Sequence, residues 1–209
     1  MGTNNLSLTG ADASFFEIND NKLYLKAGVS LDFETKTSYN VTVNVDDTSI
    51  GATPDLTAAY TLTITDVMEG TNGNDILNGT KGNDLIEGFT GNDNLNGANG
   101  NDTLIGDDGN DILNGGTGND SLIGGTDNDI YYVDSANDQI IELLGEGTDT
   151  VYSTIDYSLI ANVENLILQG TAINGTGNES NNTINGNGSD NVLIGGDGND
   201  NLNGGTGND

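Results

Sequence analysis

Hydrophobic residues recur at every ninth position over much of the chain, separated by polar, glycine-rich stretches. From Gly70 to Tyr132 the sequence divides into seven nonapeptides, each with Gly first, Asp sixth and an apolar or aromatic residue eighth. The same phase returns at Gly177 and continues to Asp209. A fixed period of this kind indicates a repeat architecture, in which every copy forms the same short piece of structure.

Each nonapeptide is expected to form one turn and one short strand. The first six residues suit a tight glycine-rich turn, and the last three suit a strand whose side chains alternate between inside and outside. If two nonapeptides complete one coil, each residue stacks on the residue eighteen positions later, about 4.8 Å away. The eighth positions then form an inward-facing column of Leu77, Ile86, Leu95, Leu104, Leu113, Leu122, Tyr131, Ile184, Leu193 and Leu202.

The first 69 residues carry a different pattern, in which glycine is rarer and polar and apolar side chains alternate. Four segments indicate strands bounded by turn residues, at 15–18, 22–25, 39–45 and 60–64. Several short strands of this kind are typical of a β-sandwich. We therefore predict an all-β chain in which a partial β-sandwich precedes the repeats.

Between the two repeat blocks the nine-residue phase is expected to be lost. Alternating stretches at 138–143, 149–152 and 164–168 predict short strands that continue the solenoid as wider, metal-poor coils. A second interpretation of this segment is a carbohydrate-binding face formed by Tyr131, Tyr132, Tyr152 and Tyr157. The predicted organisation is a sandwich at 1–69, a first repeat block at 70–132, an insert at 133–176 and a truncated second block at 177–209.

The charge of the chain excludes several classes of partner. Its 209 residues include 33 acidic residues, four lysines and no arginine, for a formal net charge of −29. Nucleic acids and anionic membranes need Lys or Arg to neutralise their phosphates, so neither is an expected partner. No stretch is long and apolar enough to predict membrane insertion.

The missing residue types exclude most catalytic chemistry. Without cysteine there is no disulfide, no thiolate nucleophile and no Cys-based zinc site, and without histidine the usual general base is absent. The acidic residues follow the repeat, and no two of them stand out as a catalytic pair. We therefore expect that this chain is not an enzyme.

The sixth-position Asp residues are the candidate metal ligands. Stacked about 4.8 Å apart at an effective dielectric constant near 20, two carboxylates repel by roughly 3.5 kcal/mol. A hard divalent cation removes that repulsion, and Ca²⁺ suits flexible oxygen sites better than Mg²⁺, which retains its waters. We expect several structural Ca²⁺ ions, with ligands on two edges: Asp75, Asp93, Asp111 and Asp129 on one, and Asp84, Asp102 and Asp120 on the other.

The second block is a weaker candidate for metal binding. Asn182 and Asn191 stand at sixth positions, where they keep an oxygen and lose the charge, so these two nonapeptides either bind weakly or build the roll without metal. Asp200 and Asp209 keep the carboxylate. The candidate ligands in this block are Asn191, Asp200 and Asp209.

The repeats resemble the RTX, or hemolysin-type calcium-binding, nonapeptide family. Units such as GGTGNDSLI at 115–123 and GGDGNDNLN at 195–203 match the family pattern G-G-x-G-x-D-x-U-x. The resemblance covers 70–209 and implies a right-handed parallel β-roll that folds on Ca²⁺ outside the cell after type I secretion. Because the last repeat stops in mid-unit, we expect the chain to be a fragment of a longer secreted, extracellular protein.

The N-terminal region resembles the second half of a cadherin repeat. The similarity rests on LDFET at 31–35, YNVTVNVDD at 39–47 and TLTITDVMEG at 61–70. It implies further Ca²⁺ ligands at Asp32, Glu34, Asp46 and Asp66. The sequence departs from the cadherin pattern at Met68, where that family has Asn.

Three functions fit these observations. The first is a stalk or matrix segment of a large adhesin or surface-layer protein, whose partners are like subunits or cell-surface and matrix components. The second is the secretion and folding module of an exported protease, lipase or epimerase whose catalytic domain lies outside this chain. The third is the repeat domain of a pore-forming toxin, which would require apolar helices in the neighbouring sequence.

Overall fold

A computed structural model describes residues 4–29, 38–47, 54, 56–63 and 67–209. The chain divides into two compact units, residues 1–65 and 66–209. Within the described residues the secondary structure is β-strand and turn, apart from one 3₁₀ turn at Ala13–Phe15. No helix in those ranges is long and apolar enough to cross a membrane.

The first unit contains an antiparallel sheet and a hairpin. Phe16, Tyr39 and Val41 form its small buried core, and Asp12 accepts a 2.7 Å hydrogen bond from the backbone N–H of Asn40. The sheet has the strand order β1-β4-β5, and β2 pairs with β3 across a turn at Asp20 and Asn21, both with positive φ. The resemblance to a cadherin repeat stays a prediction. The strands are β1 (Asn4–Thr9), β2 (Phe16–Asn19), β3 (Lys22–Leu25), β4 (Ser38–Asp47) and β5 (Leu56–Thr63).

The second unit is a parallel β-solenoid, which confirms the predicted fold class. Strands on opposite sides of the coil alternate along the chain, and most of them pair in parallel with the strand two places later. The strands are β6 (Val67–Glu69), β7 (Ile76–Asn78), β8 (Leu85–Glu87), β9 (Asn94–Asn96), β10 (Thr103–Asp108), β11 (Ile112–Asn114), β12 (Ser121–Thr126), β13 (Ile130–Val133), β14 (Gln139–Ile141), β15 (Thr150–Ser153), β16 (Tyr157–Ser158), β17 (Asn165–Leu168), β18 (Asn174–Thr176), β19 (Thr183–Asn185), β20 (Val192–Ile194) and β21 (Asn201–Asn203).

Three sheets result from this alternation. Strands β6, β8, β10, β12 and β14 form one, the odd-numbered strands from β7 to β21 form a second, and β16, β18 and β20 form a third. In the repeats the register between paired strands is eighteen residues, so Leu104 lies beside Ile86 on one side and Leu122 on the other. Two nonapeptides therefore make one coil, as the sequence predicts.

The core of the solenoid is one side chain wide. The eighth-position residues from Ile86 to Tyr131 are fully buried, and Ile184 in the second block is buried as well. Leu77 and Leu193 are half-buried and pack against the same core, whereas Leu202 in the last strand is 44% exposed. Since each half-turn contributes a single core residue, hydrophobic burial alone gives each coil little stability.

The insert continues the solenoid with coils of changed length. The nine-residue phase runs one half-turn past Tyr132, contrary to expectation, because β14 pairs with β12 in the regular register. The next coil on the other side takes twenty residues, pairing Ile130 with Thr150, and the one after it takes fifteen, pairing Thr150 with Asn165. The insert thus has one wider and one narrower coil, where uniformly wider coils were predicted.

The four tyrosines of the insert region do not share a surface. Tyr131 points inward and is fully buried, whereas Tyr132 and Tyr152 stack on the outside with ring centroids 5.2 Å apart. Tyr157 lies in β16, which belongs to a different sheet. The prediction that all four tyrosines form one carbohydrate-binding face is therefore wrong.

The two outer faces of the first block differ in chemistry. Ninth-position residues on the eight-stranded sheet are Asn78, Asn96 and Asn114, followed by Tyr132 at the end of the block, and the Asn96 amide donates to the Asn78 side chain at 3.3 Å. On the five-stranded sheet the same position holds Glu87, Ile105 and Ile123. The ninth positions therefore form a row of asparagines on one face and hold no asparagine on the other.

Candidate metal centre

The sixth-position carboxylates form two continuous hydrogen-bonded ladders. The backbone N–H of each such Asp donates to Oδ1 of the Asp one coil later, as in the bonds from Asp93 to Asp111 and from Asp102 to Asp120 at 2.8 and 2.9 Å. The two edges are the predicted ones. The first ladder runs through Asp75, Asp93, Asp111, Asp129 and Asp149, and the second through Asp84, Asp102, Asp120 and Asp138.

Two members of these ladders were missed by the sequence analysis. Asp138 holds the sixth position of the extra half-turn and accepts a 3.1 Å bond from Asp120, and Asp149 accepts a 2.8 Å bond from Asp129 across the twenty-residue coil. The regular spacing of Asp138 was visible in the sequence. Asp149 could not be found by period, since two extra residues shift it out of phase.

Six of these carboxylates each keep a second oxygen that is buried and has no hydrogen-bond partner. The side chains are at most 2% exposed, so water does not replace the missing partner. From Gly82 to the end the chain has no Lys or Arg that could neutralise them. A buried, unpaired carboxylate is strongly unfavourable, so an added cation fits this arrangement. Five of these oxygens lie in the nonapeptides, at Oδ2 of Asp93, Asp102, Asp111, Asp120 and Asp129, and the sixth is Oδ2 of Asp149.

The five nonapeptide half-turns with a buried free oxygen share one backbone conformation, which the half-turn at Gly195 also has. We call these five the open half-turns. They begin at Gly88, Gly97, Gly106, Gly115 and Gly124, and in each the second and fourth residues have positive φ.

The half-turns that begin at Gly70 and Gly79 lack these positive φ values, and we call half-turns of this kind closed. In them the backbone N–H of the second residue donates to the sixth-position side chain. Thr71 and Thr80 make this bond to Oδ2 of Asp75 and Asp84, both at 2.6 Å. Neither of these two carboxylates has a buried oxygen without a hydrogen-bond partner. Their role as ligands stays a prediction.

Carbonyl oxygens of the next coil approach the open carboxylates. A Cβ placed at Gly106 would lie 2.6 Å from the Gly124 carbonyl oxygen and would also collide with the Asp111 carboxylate. Glycine is required there because carboxylate and carbonyl oxygens occupy the space that a side chain would fill. Carboxylate and backbone carbonyl oxygens in this combination are the ligands that Ca²⁺ takes.

The second block replaces the free carboxylate with an amide that is fully hydrogen-bonded. Oδ1 of Asn191 accepts from the N–H of Asn187 at 2.8 Å, and its Nδ2 donates to the carbonyls of Ala172 and Ile173 at 3.3 and 3.2 Å. Asn182 makes the equivalent bonds one half-turn earlier. The predicted ligand role of Asn191 is untested, and these hydrogen bonds argue for a metal-free closed half-turn.

The remaining candidate ligands lie in the second repeat block and in the first unit. Oδ1 of Asp200 and of Asp209 accept the N–H groups of Asn182 and Asn191 at 2.9 and 2.8 Å, which continues the ladder pattern. Asp46 is described in β4, where its Oδ1 is buried without a hydrogen-bond partner. The cadherin-like ligands Asp32, Glu34 and Asp66 lie outside the described residues.

Fifth-position asparagines form a second ladder that the sequence analysis did not assign. Their side-chain oxygens accept the N–H of the fifth residue one coil later, for example from Asn92 to Asn74 at 2.9 Å and from Asn101 to Asn83 at 2.8 Å. The signal was present, since Asn occupies this position in all seven nonapeptides of the first block. These amides keep the turns in register on the solvent side of the carboxylates.

Burial raises the pKa of the ladder carboxylates. It raises the pKa of Asp111 and Asp120 to about 6 and that of Asp129 to about 8, with repulsion from neighbouring carboxylates adding to the effect. The pKa values of Asp93 and Asp102 are raised for the same reason. Backbone hydrogen bonds to these carboxylates act in the opposite direction but are outweighed.

We expect acidification to favour the calcium-free solenoid. A carboxyl group whose pKa is higher in the folded state stabilises the fold fully below its unfolded pKa, near 3.8, and loses that contribution as the pH rises through about 6 to 8. Far-UV circular dichroism in calcium-free buffer should therefore show β-structure increasing from about pH 8 to about pH 4. A β signal unchanged over this range would contradict buried, unneutralised carboxylates.

Comparisons with known proteins agree with this geometry. The family model for the RTX calcium-binding nonapeptide repeat (4 copies) matches residues 69–104, 105–140 and 176–209, just over half of the chain. The second range includes the extra half-turn that carries Asp138. A 57-residue segment is 42% identical to the endo-1,3-1,4-β-glycanase ExsH of Rhizobium meliloti (strain 1021), and this match covers 27% of the chain and 12% of that protein.

Proposed function

Because the chain belongs to the family of RTX calcium-binding nonapeptide repeat proteins, we propose that it is the calcium-dependent structural module of a larger exported protein. The repeats bind Ca²⁺, and the β-roll they form is a structural calcium-binding fold that is not itself catalytic. Calcium binding, in this proposal, converts an acidic chain that cannot stack its carboxylates into a folded solenoid.

The observation that carries this proposal is the set of six buried Asp oxygens without a hydrogen-bond partner in a region without Lys or Arg. With carboxylates stacked coil upon coil and a core one residue wide, the apo solenoid has strong repulsion and little compensating burial. An ion that binds the folded state and not the unfolded state stabilises folding by mass action, by roughly 1.4 kcal/mol per site at tenfold excess over Kd. Several coupled sites are enough to drive folding.

Export explains why such a module is useful. A chain that folds only on Ca²⁺ stays extended where calcium is scarce and folds where it is abundant, so secretion and folding occur in sequence. This supports an extracellular location and the type I route implied by the family. In a stalk or adhesin the folded roll would act as a stiff spacer that presents neighbouring modules to cell-surface or matrix partners.

A second function is favoured by the comparison with the glycanase. The match covers 12% of that protein, so the rest of the glycanase lies outside the shared segment. By analogy, the present solenoid would be the folding module attached to an exported carbohydrate-active enzyme. The sequence on either side of the solenoid in the parent protein distinguishes the two functions. Tandem β-modules there would favour the stalk, and a catalytic domain would favour the exported enzyme.

The test of the proposed function is a calcium titration of the purified chain followed by far-UV circular dichroism, with magnesium as the control ion. We expect a steep gain of β signal with Ca²⁺, with a Hill coefficient well above one, and little change with Mg²⁺. EDTA should reverse it. A β spectrum that ignores calcium, magnesium and EDTA alike would contradict the proposal.

A further inference from the structure

The sequence departs from the repeat at three places near the end of the first block. Tyr131 replaces the usual aliphatic residue at the eighth position, and Asp127 replaces glycine at the fourth. The third departure lies one coil further on. Eighteen residues after Gly70, Gly88 and Gly106 the sequence again has glycine, but eighteen residues after Gly124 it has Glu142.

Glu142 completes a cluster of three buried carboxylates. One carboxylate oxygen from each of Asp129, Glu142 and Asp149 lies within 4.8 Å of the others, and the side chains are 1%, 7% and 1% exposed. It is the one group of three potential metal-ligating side chains of this kind among the described residues. In the regular coils the corresponding position offers only a glycine carbonyl, as at Gly124 beside Asp111.

Each of the three side chains is held by one oxygen and leaves the other without a partner. Oδ1 of Asp149 accepts the N–H of Asp129 at 2.8 Å, and Oε1 of Glu142 accepts the hydroxyl of Tyr131. The backbone carbonyl of Glu142 is fixed by the Asn162 amide at 3.1 Å. Asp129 Oδ2, Glu142 Oε2 and Asp149 Oδ2 remain buried with no hydrogen-bond partner.

This arrangement explains why residue 131 is a tyrosine and residue 124 a glycine. The tyrosine is buried like the leucines of the column, but it adds a hydroxyl that reaches Glu142 and orients its carboxylate. A Cβ at Gly124 would collide with both that hydroxyl and the Asp129 carboxylate. These two residues therefore act as positioning residues for the cluster.

We propose that Asp129, Glu142 and Asp149 form a separate divalent-cation site that binds Ca²⁺ more tightly than the repeat sites and fills first. The inference rests on the proposed function, since it needs the folded solenoid around it. Three converging carboxylates bring more charge to one ion than the two ladder carboxylates that consecutive coils of the repeats offer, and the number of charged ligands sets calcium affinity. An ion here joins the first block to the irregular coils of the insert.

The site can be tested by calorimetric titration of Ca²⁺ into the full chain and its Glu142→Gln variant. Gln keeps the acceptor for Tyr131 and removes the charge. We expect the tightest binding step to weaken about tenfold or more, while the later steps and the final β signal are retained. Glu179→Gln is the matched control, because Glu179 is exposed and outside the cluster, and it should leave every step unchanged.

Terbium luminescence gives a second readout in case Glu142→Gln does not fold. The chain has no tryptophan, so tyrosine is the sensitiser, and Tyr131 contacts a proposed ligand directly. The first Tb³⁺ bound should give strong tyrosine-sensitised emission that Tyr131→Phe largely removes. If that first emission is absent, or survives in Tyr131→Phe, the assignment of the site is overturned.

The outcomes separate the two proposals. Calcium-dependent folding with an unchanged first binding step in Glu142→Gln would overturn the junction site and leave the proposed function standing. Absence of calcium-dependent folding in the unmodified chain would overturn the proposed function itself. Loss of only the first calcium-binding step in Glu142→Gln, with calcium-dependent folding retained, supports both proposals.

Discussion

Replacing Leu104 by Asp is expected to prevent folding of the solenoid even in saturating calcium. Leu104 is fully buried and lies between Ile86 and Leu122 in the one-residue-wide column. Truncating a buried leucine costs about 2–5 kcal/mol, and a buried charge without a partner adds several more. Calcium binds at the edges of the coil and cannot compensate a charge at its centre.

The measurement is far-UV circular dichroism and calcium calorimetry of Leu104→Asp beside Ile76→Asp. Ile76 belongs to the same solenoid but is 76% exposed, so it receives the same charge on the outer face. We expect Ile76→Asp to fold and bind calcium nearly as the unmodified chain does. A normal calcium-bound spectrum for Leu104→Asp would show that the inward register is wrong.

Replacing Asp93 and Asp111 together by Ala is expected to lower calcium affinity non-additively. The two residues are consecutive in one ladder, where the N–H of Asp93 donates to Asp111 at 2.8 Å. If each ion lies between consecutive coils of a ladder, Asp93 and Asp111 share one ion. Either single substitution removes that shared ion, so the double variant loses fewer ions than the two single variants added together. Each substitution also leaves a buried N–H unpaired, at about 1–3 kcal/mol.

The matched comparison is the double variant Asp93→Ala with Asp102→Ala. These residues lie in opposite ladders and share no ion, so their effects should add within about 0.5 kcal/mol. Calorimetric stoichiometry should then show one ion fewer lost in the same-ladder pair than in the opposite-ladder pair. Equal losses in the two pairs would argue against ions shared between coils, and an unchanged isotherm would argue against carboxylate ligation altogether.

The regular part of the solenoid follows from the sequence because its period is a direct consequence of geometry. A nine-residue half-turn that must place one side chain inside forces an apolar residue at a fixed position, as from Ile86 to Leu122. The same reasoning gave the two edges of Asp residues, since residues eighteen apart stack. The fold class, the inward column of the repeats and the nonapeptide members of the two ladders therefore follow from the sequence alone.

The irregular features depend on contacts that a period does not encode. Asp149 enters its ladder only because the preceding coil gains two residues, and Glu142 acquires a partner only because Tyr131 lies below it. The difference between open and closed half-turns is a matter of backbone φ at the second and fourth residues. Non-glycine residues such as Phe89 and Ala98 adopt positive φ there, which composition does not predict.

The first unit was only partly predictable. Strand positions agree well, with segments expected at 22–25 and 39–45 found as β3 and β4. β1 was missed, because its pairing with β4 joins residues far apart in sequence and gives no local signal. The register of this antiparallel sheet is set by packing around Phe16 and Val41, which alternation alone does not specify.

The asparagine row at the ninth positions of one outer face constrains how such an array changes length over evolution. Gain or loss of a single nonapeptide would move every preceding copy to the opposite side, so that Asn96 and Ile105 exchanged faces. Gain or loss of two leaves each copy on its own side and keeps the asparagine row intact. The duplication step that preserves both surfaces is therefore eighteen residues, and the heritable module of this solenoid is the whole coil, although the sequence displays a repeat of half that length.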